Sequence, residues 1–189
     1  EVNKWTVVAD NKPGAGGTIG ITEAVKAAPT GYDLVMGQKD NLVIGPWLYK
    51  NLPWDPTKDL TAVAHVAYTP VVIATSASSR FKTLADVVAA AKAAPGTITY
   101  GSPGNGTSGH MCGELLKSKA GIDMTHVPFR GSAFVITDLL AGRIQLTIDN
   151  LPPYIPHLRD KKLRLLAVTS RERWFTDPEV PTVAETLPG

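Results

Sequence analysis

Thiols, charge imbalance and long apolar runs are all scarce in this chain. Cys112 is its one cysteine in 189 residues, so no disulfide can close within it and no zinc site of paired thiolates can form. It sits beside Met111 and three residues before Leu115, which reads as a small buried helix residue. His110, Cys112 and His126 come without a second cysteine pair, and no metal site and no cofactor is expected from them. Nineteen basic residues against seventeen acidic leave a charge of +2, spread without a basic stripe, which speaks against nucleic acid as a partner. No apolar run approaches the ~20 residues of a membrane span, so the chain is not expected to span a membrane. Glu1 opens it without a signal-peptide pattern, which leaves export open because a signal can be removed.

What the chain does have is an unusual loop. The run Tyr100-Gly-Ser-Pro-Gly-Asn-Gly-Thr-Ser-Gly-His110 leads from a β-type segment, Thr97 to Tyr100, into an amphipathic helix starting near Ser108. It reads as an anion cradle. Gly101, Gly104, Gly106 and Gly109 are expected to allow positive φ and close approach, while Thr107 and Ser108 cap the helix and offer hydroxyls. The free N–H groups of a helix N-terminus favour a carboxylate or phosphate without any lysine. No Lys-Ser or Lys-Thr pair follows these glycines, so the loop is no Walker loop, which argues against a nucleotide triphosphate and leaves a smaller anion in play.

The same grammar recurs along the chain. Trp5 to Ala9 leads through Pro13-Gly-Ala-Gly-Gly17 into a helix from Thr18 to Ala28, and Asp33 to Met36 leads through Gly37-Gln-Lys-Asp-Asn41 into a segment ending near Tyr49. Met124 to Val127 precedes Pro128-Phe-Arg-Gly-Ser132 and a helix to Ala141. Ile144 to Ile148 runs into Asp149-Asn-Leu-Pro-Pro153, and Leu163 to Val168 into Thr169-Ser170. Alternating strands and helices imply crossovers and a largely parallel sheet. Ligands of such sheets sit beyond the carboxyl ends of the strands, where these loops lie. Among the plainer features, Pro13 to Gly17 reads first as a loop that lets its helix pack closely, Pro53-Trp-Asp-Pro56 as a rigid turn with Trp54 packed beneath, and Ala89 to Ala94 as a surface helix stopped by Pro95-Gly96.

Catalysis is harder to assemble. Gly106-Thr-Ser-Gly-His110 approximates a G-x-S-x-G elbow, with His110 in the last glycine position, and Asp149 and His157 could complete a hydrolase order on paper. Pro152, Pro153 and Pro156 crowd the segment before His157, so Ser108 as cap or ligand donor is preferred to Ser108 as nucleophile. His65 and His126 fall in strand-like stretches and read as structural.

Many colinear motifs then carry a resemblance. Asn11-Lys-Pro-Gly-Ala-Gly-Gly-Thr-Ile-Gly20, Pro29-Thr-Gly-Tyr32, Leu52-Pro-Trp-Asp-Pro56, Gly104-Asn-Gly-Thr107, His126-Val-Pro-Phe-Arg-Gly131, Asp138-Leu-Leu-Ala-Gly142, Leu166-Ala-Val-Thr-Ser170 and Pro181-Thr-Val-Ala-Glu185 resemble the substrate-binding proteins of tripartite tricarboxylate transporters, the Bug or TctC-like family. The resemblance implies a noncatalytic periplasmic receptor of the type II periplasmic-binding-protein kind. In such a receptor two α/β lobes with mostly parallel sheets close on a small organic carboxylate, whether dicarboxylate, tricarboxylate, amino acid or aromatic acid. Its implied partners are the ligand and the membrane permease subunits, and it acts as a monomer. It also implies an internal fragment, without the first strand and its Pro-x-Gly-Gly loop and stopping at Leu187-Pro-Gly189. With a crossing near Pro70 to Ser76, residues 1–73 would be part of the first lobe and 74–189 the second.

Carried over by position, the resemblance implies a ligand site of Ser102, Gly104, Asn105, Gly106, Thr107 and Ser108, with His110 behind them. Gly131 and Ser132 form a second arm, Asp149 and Asn150 line the floor, and Gln38 and Asn41 approach from the first lobe. Lys39 and Asp40 depart from the small polar residues common there. Lys39 either neutralises a second carboxylate or is a solvated loop lysine, and Arg130 replaces a lysine with its charge kept, as a surface ion pair or a ligand neighbour. Two other classes stay open: a sensory module signalling to a membrane kinase, and a serine hydrolase using Ser108.

Overall fold

The computed structural model describes residues 5–187. The expected stop at Leu187-Pro-Gly189 therefore lies, past Leu187, outside the described residues. Five strands form one sheet: β1 (Val71–Ser76), β2 (Thr99–Ser102), β3 (Thr125–Pro128), β4 (Leu146–Asn150) and β5 (Leu163–Val168), in the spatial order β3-β2-β4-β1-β5. Between them run α3 (Leu84–Ala93), α4 (Ser108–Ala120), α5 (Ser132–Leu140) and the short α6 (Ile155–Arg159); α7 (Val183–Thr186) follows β5. Ahead of the sheet stand α1 (Thr18–Lys26), a π-helical turn (Asp40–Ile44) and α2 (Gly45–Leu48).

The sheet is mixed. β2 pairs parallel with β3 and β4, whereas β1 runs antiparallel to both β4 and β5. The reason lies in where β1 begins. Val71 sits opposite Asn150 and Val72 opposite Val168, so the chain enters β1 at the edge where β4 and β5 end, and it can only run back against them.

Alternation along the strands divides the core. Val71 and Ile73 face α3 and α4 with Leu84, Val87, Tyr100, Leu116 and Ile148, while Val72 faces the opposite side with Leu151, Val168 and Val180. Val135, Ile136 and Leu139 of α5 pack on that second side against Ile144, Tyr154 and Leu163. Helices thus cover both faces, which is what a sheet with parallel members requires. The α3 helix is more than a surface helix: Leu84, Val87, Val88 and Ala91 are buried, and Thr83 and Asp86 cap it reciprocally.

Residues 5–70 depart from expectation. Trp5 to Ala9 and Asp33 to Met36 form no strand, nor does the stretch holding His65, which is exposed. Val7 and Val8 are each 84% exposed, and no strand lies beside any of these segments among the described residues to accept their N–H groups. β-type composition without a neighbour yields no ladder. Trp54 is buried and donates its indole N–H to Thr22 Oγ1 at 2.9 Å, which ties the Pro53–Pro56 turn to α1.

Candidate functional site

The loops at the carboxyl edge of the sheet gather around the start of α4. Gly104 (φ 145°) and Gly106 (φ 78°) carry the backbone through conformations that L-residues rarely adopt. Gly101 and Gly109, expected to serve the same turn, do something else. A Cβ on Gly109 would lie 1.9 Å from the Ile148 carbonyl oxygen, so that glycine lets α4 rest directly on β4. This close approach sets the N-terminus of α4 beside Asp149.

The hydroxyls of the loop are mostly turned inward. Thr107 accepts from the His110 N–H at 3.4 Å as the α4 cap and donates to the Gly104 carbonyl at 2.8 Å. Ser102 is buried, donates to the Gly104 carbonyl at 3.1 Å and shares a 2.7 Å hydrogen bond with His126 Nε2. His110 does stand behind the loop: its Nδ1 accepts from the Gly106 N–H at 3.1 Å, and its ring stacks on His126 at 4.3 Å between centroids. Burial lowers the pKa of both imidazoles, His126 down to about 4, where the neighbouring His110 adds to the depression. A neutral His110 is what the Gly106 bond needs, because a protonated Nδ1 has no lone pair to offer.

The anion position at the start of α4 is taken by the protein itself. Asp40 is buried; its Oδ2 accepts from the Ser108 N–H at 2.9 Å, and its Oδ1 from the Ser108 hydroxyl. Two donors of one serine therefore grip one carboxylate that comes from 68 residues earlier in the chain. Tyr49 adds a second tie, donating to the Asn105 carbonyl at 3.1 Å. Gly16 lies against the same carbonyl, so the Pro13–Gly17 loop, the Gln38–Asn41 loop and the Gly104–Ser108 loop meet. Asn41 is buried and accepts from the Gln38 N–H at 2.9 Å, closing its own turn, with its side chain lying against Gly17. Gln38, Lys39 and Asn105 are exposed.

Asp149 and Asn150 end β4 at the same edge. Asp149 is sealed, 1% exposed; Tyr154 donates to its Oδ2 at 2.8 Å and the Asn150 N–H to its Oδ1 at 2.7 Å. Burial lifts its pKa to about 6; the neighbouring Ser132, Tyr154 and Asn150 donors lower it, and the Asp40 charge adds to the rise. Ser132 opens α5, and Gly131 just before it has φ 139° with open space where a Cβ would stand. Arg130 is exposed and makes no ion pair among the described residues. A surface depression of about 340 Å³ lined by Phe129, Arg130, Phe134 and Asp138 adjoins this arm on its outer side.

A triad at Ser108 does not form: its hydroxyl is engaged by Asp40, Asp149 is engaged by Tyr154, and His157, on α6, keeps a buried Nδ1 without a partner among the described residues. Sequence reasoning missed Asp40, Tyr49 and Tyr154. Asp40 alone left a signal, as an acid in a loop of small polar residues. The five-residue step from Asp149 to Tyr154 becomes meaningful only once the Pro152–Tyr154 turn folds the ring back beneath β4.

Comparison with known proteins agrees with this architecture. The profile of the tripartite tricarboxylate transporter family receptor, TctC, matches residues 3–188. A UPF0065 protein from the tcbD-tcbE intergenic region of Pseudomonas sp. strain P51 is 37% identical over 97% of this chain and 55% of its own length. Among solved structures, R. palustris Rpa4515 with adipate superposes with a TM-score of 0.92 at 35% identity, covering 96% of this chain and 61% of that one. MatC from Rhodopseudomonas palustris with bound malate superposes at 0.81 and 27% identity, over 93% and 59%. The chain spans about half the length of the curated relatives it matches. It belongs to the TctC receptor family and has the α/β fold of those periplasmic binding proteins.

Proposed function

We propose that this member of the tripartite tricarboxylate transporter receptor family captures a small organic carboxylate in the periplasm and delivers it to membrane permease subunits. The observation that carries the reading is Asp40: the start of α4 already holds a carboxylate by an N–H and a hydroxyl of one serine, so the cradle is built to the dimensions of that group. The adipate and malate in the two R. palustris structures support the same ligand class. The chain ahead of β1 then contributes to a first lobe and the sheet from β1 onward to a second, with Gly131, Ser132 and Asn150 facing the ligand across from Gln38 and Asp149 sealed beneath them. Neutral donors suit a receptor, because they hold an acid without making its release slow.

A thermal-shift screen of mono-, di- and tricarboxylates, amino acids and aromatic acids tests this. An acid present at 100 times its dissociation constant is expected to stabilise the chain by about 2.7 kcal/mol, a readily measured rise in Tm. No shift with any acid, in this chain or in a version extended at both ends, would remove the carboxylate reading.

A further inference from the structure

The receptor reading leaves open which acids are admitted, and the inference here rests on that reading. We propose that Asp40 is a specificity-determining residue: it seats its own carboxylate on the α4 N-terminus, so an acid that needs two anion grips must displace it, and dicarboxylates are disfavoured. Three observations converge. Asp40 is 6% exposed and both its oxygens are bonded to Ser108, so the N–H and hydroxyl that Ser108 could offer an incoming anion at the α4 N-terminus are already engaged. Thr107 adds nothing, since its hydroxyl is turned to Gly104. Asp149 lies close enough for Asp40 to act on it as a like charge, and it is itself sealed at the same edge of the sheet.

A second ligand carboxylate arriving there would be a third negative group, and neither Lys39 nor Arg130 is paired with either aspartate. An acid that instead presents an ammonium, amide or hydroxyl toward Asp40 meets an acceptor. The favoured chemistry is one carboxylate at one end and a hydrogen-bond donor at the other, and the disfavoured chemistry is the dicarboxylate of equal length.

Adipate and ε-aminocaproate form a suitable pair, alike in length and different in the charge at one end, with malate as a shorter dicarboxylate. Calorimetric titration of the parent chain, Asp40→Ser and Asp40→Asn reads the effect. The parent is expected to prefer ε-aminocaproate to adipate by about tenfold, and both variants to gain about tenfold or more for adipate or malate while losing that preference. Asp40→Asn keeps the side-chain shape and an acceptor for Ser108, so it decides the matter should Asp40→Ser fail to fold. Dicarboxylate affinities within about twofold of the parent in folded variants, or weaker, would reduce Asp40 to a structural tie and overturn the proposal, with the receptor reading intact. If no acid of the earlier screen binds the parent or either folded variant, both readings fall together.

Discussion

Residues 5–70 and residues 71–187 draw on the same vocabulary and reach different ends. Val7, Val8, Leu34 and Met36 are mostly exposed, whereas Val72, Ile73 and Ala74 of β1 are almost entirely covered. Both stretches are rich in β-branched or other apolar residues; only the second has neighbours. β1 is hydrogen-bonded on both sides, by β4 and β5, and its two faces are covered by α3 and α4 on one side and by α5 on the other. Strand propensity therefore reports what a segment tolerates, and the ladder comes from what lies beside it. Yet the poorer region supplies Asp40 and Tyr49, the two groups that reach across to the α4 loop. The sheet region builds the cradle, and the other fills it.

The sharpest way to break the sheet half of this comparison is Gly109→Ala. The added methyl meets the Ile148 carbonyl oxygen of a central strand, an atom that cannot rotate away, so α4 must lift from β4. We expect a loss of about 3 kcal/mol or more, seen as a fall in the urea midpoint, and with it loss of the Asp40–Ser108 contact. A variant within about 1 kcal/mol of the parent would mean that α4 is not seated on the sheet as described.

A smaller effect distinguishes the polar back of the cradle. His126 is held down to about 4, first by burial and then by His110. The folded chain therefore resists the proton that the unfolded chain accepts near 6.5. The unfolded state binds more protons between these values, so this contribution is complete above about pH 6.5 and is lost as pH falls toward 4. His110 is shifted in the same direction. Asp149, raised to about 6, acts oppositely, because its folded form takes up a proton sooner and gains stability as pH falls below 6. His126→Gln separates the two: because solvent screens the partly exposed ring, the parent is expected to lose roughly 1–2 kcal/mol more than the variant between pH 7 and pH 4.5. Equal losses in parent and variant would place the pH dependence elsewhere.

How far the sequence could be read follows the same division. The start of α4 at Ser108 and the bounds of β5 were legible because a cap, a glycine turn or an unbroken apolar run marks each. β2, β3 and β4 fell within two residues of expectation. The direction of β1 was not legible, since local pattern does not say from which edge a chain enters a sheet. In the site, the glycine loop and His110 behind it could be seen, but the inward turn of Ser102 and Thr107 could not: a hydroxyl's partner is chosen by geometry 24 residues away as readily as by its neighbours. Asp40 was visible as an oddity and silent about its partner, 68 positions on.

The smallest expected effect bears most directly on the contrast. Val66 and Val72 are the same residue in similar surroundings in sequence, yet Val66 is 69% exposed and Val72 is 0%. Val→Ser at both positions removes the same apolar group and adds the same hydroxyl, so the difference reports the surroundings of each side chain, a buried strand at Val72 and an exposed irregular segment at Val66. At Val72 the hydroxyl enters a sealed layer beside Leu151 and Val168, and the lost burial and unpaired oxygen are expected to cost about 2 kcal/mol or more. At Val66 the change is expected to stay within about 0.5 kcal/mol, because water already surrounds the side chain. Urea denaturation with unchanged m-values measures both on one scale. Should Val66→Ser cost more than about 1 kcal/mol, that valine is covered in solution, and the contrast between the two regions would then lie in what each packs against rather than in whether it packs.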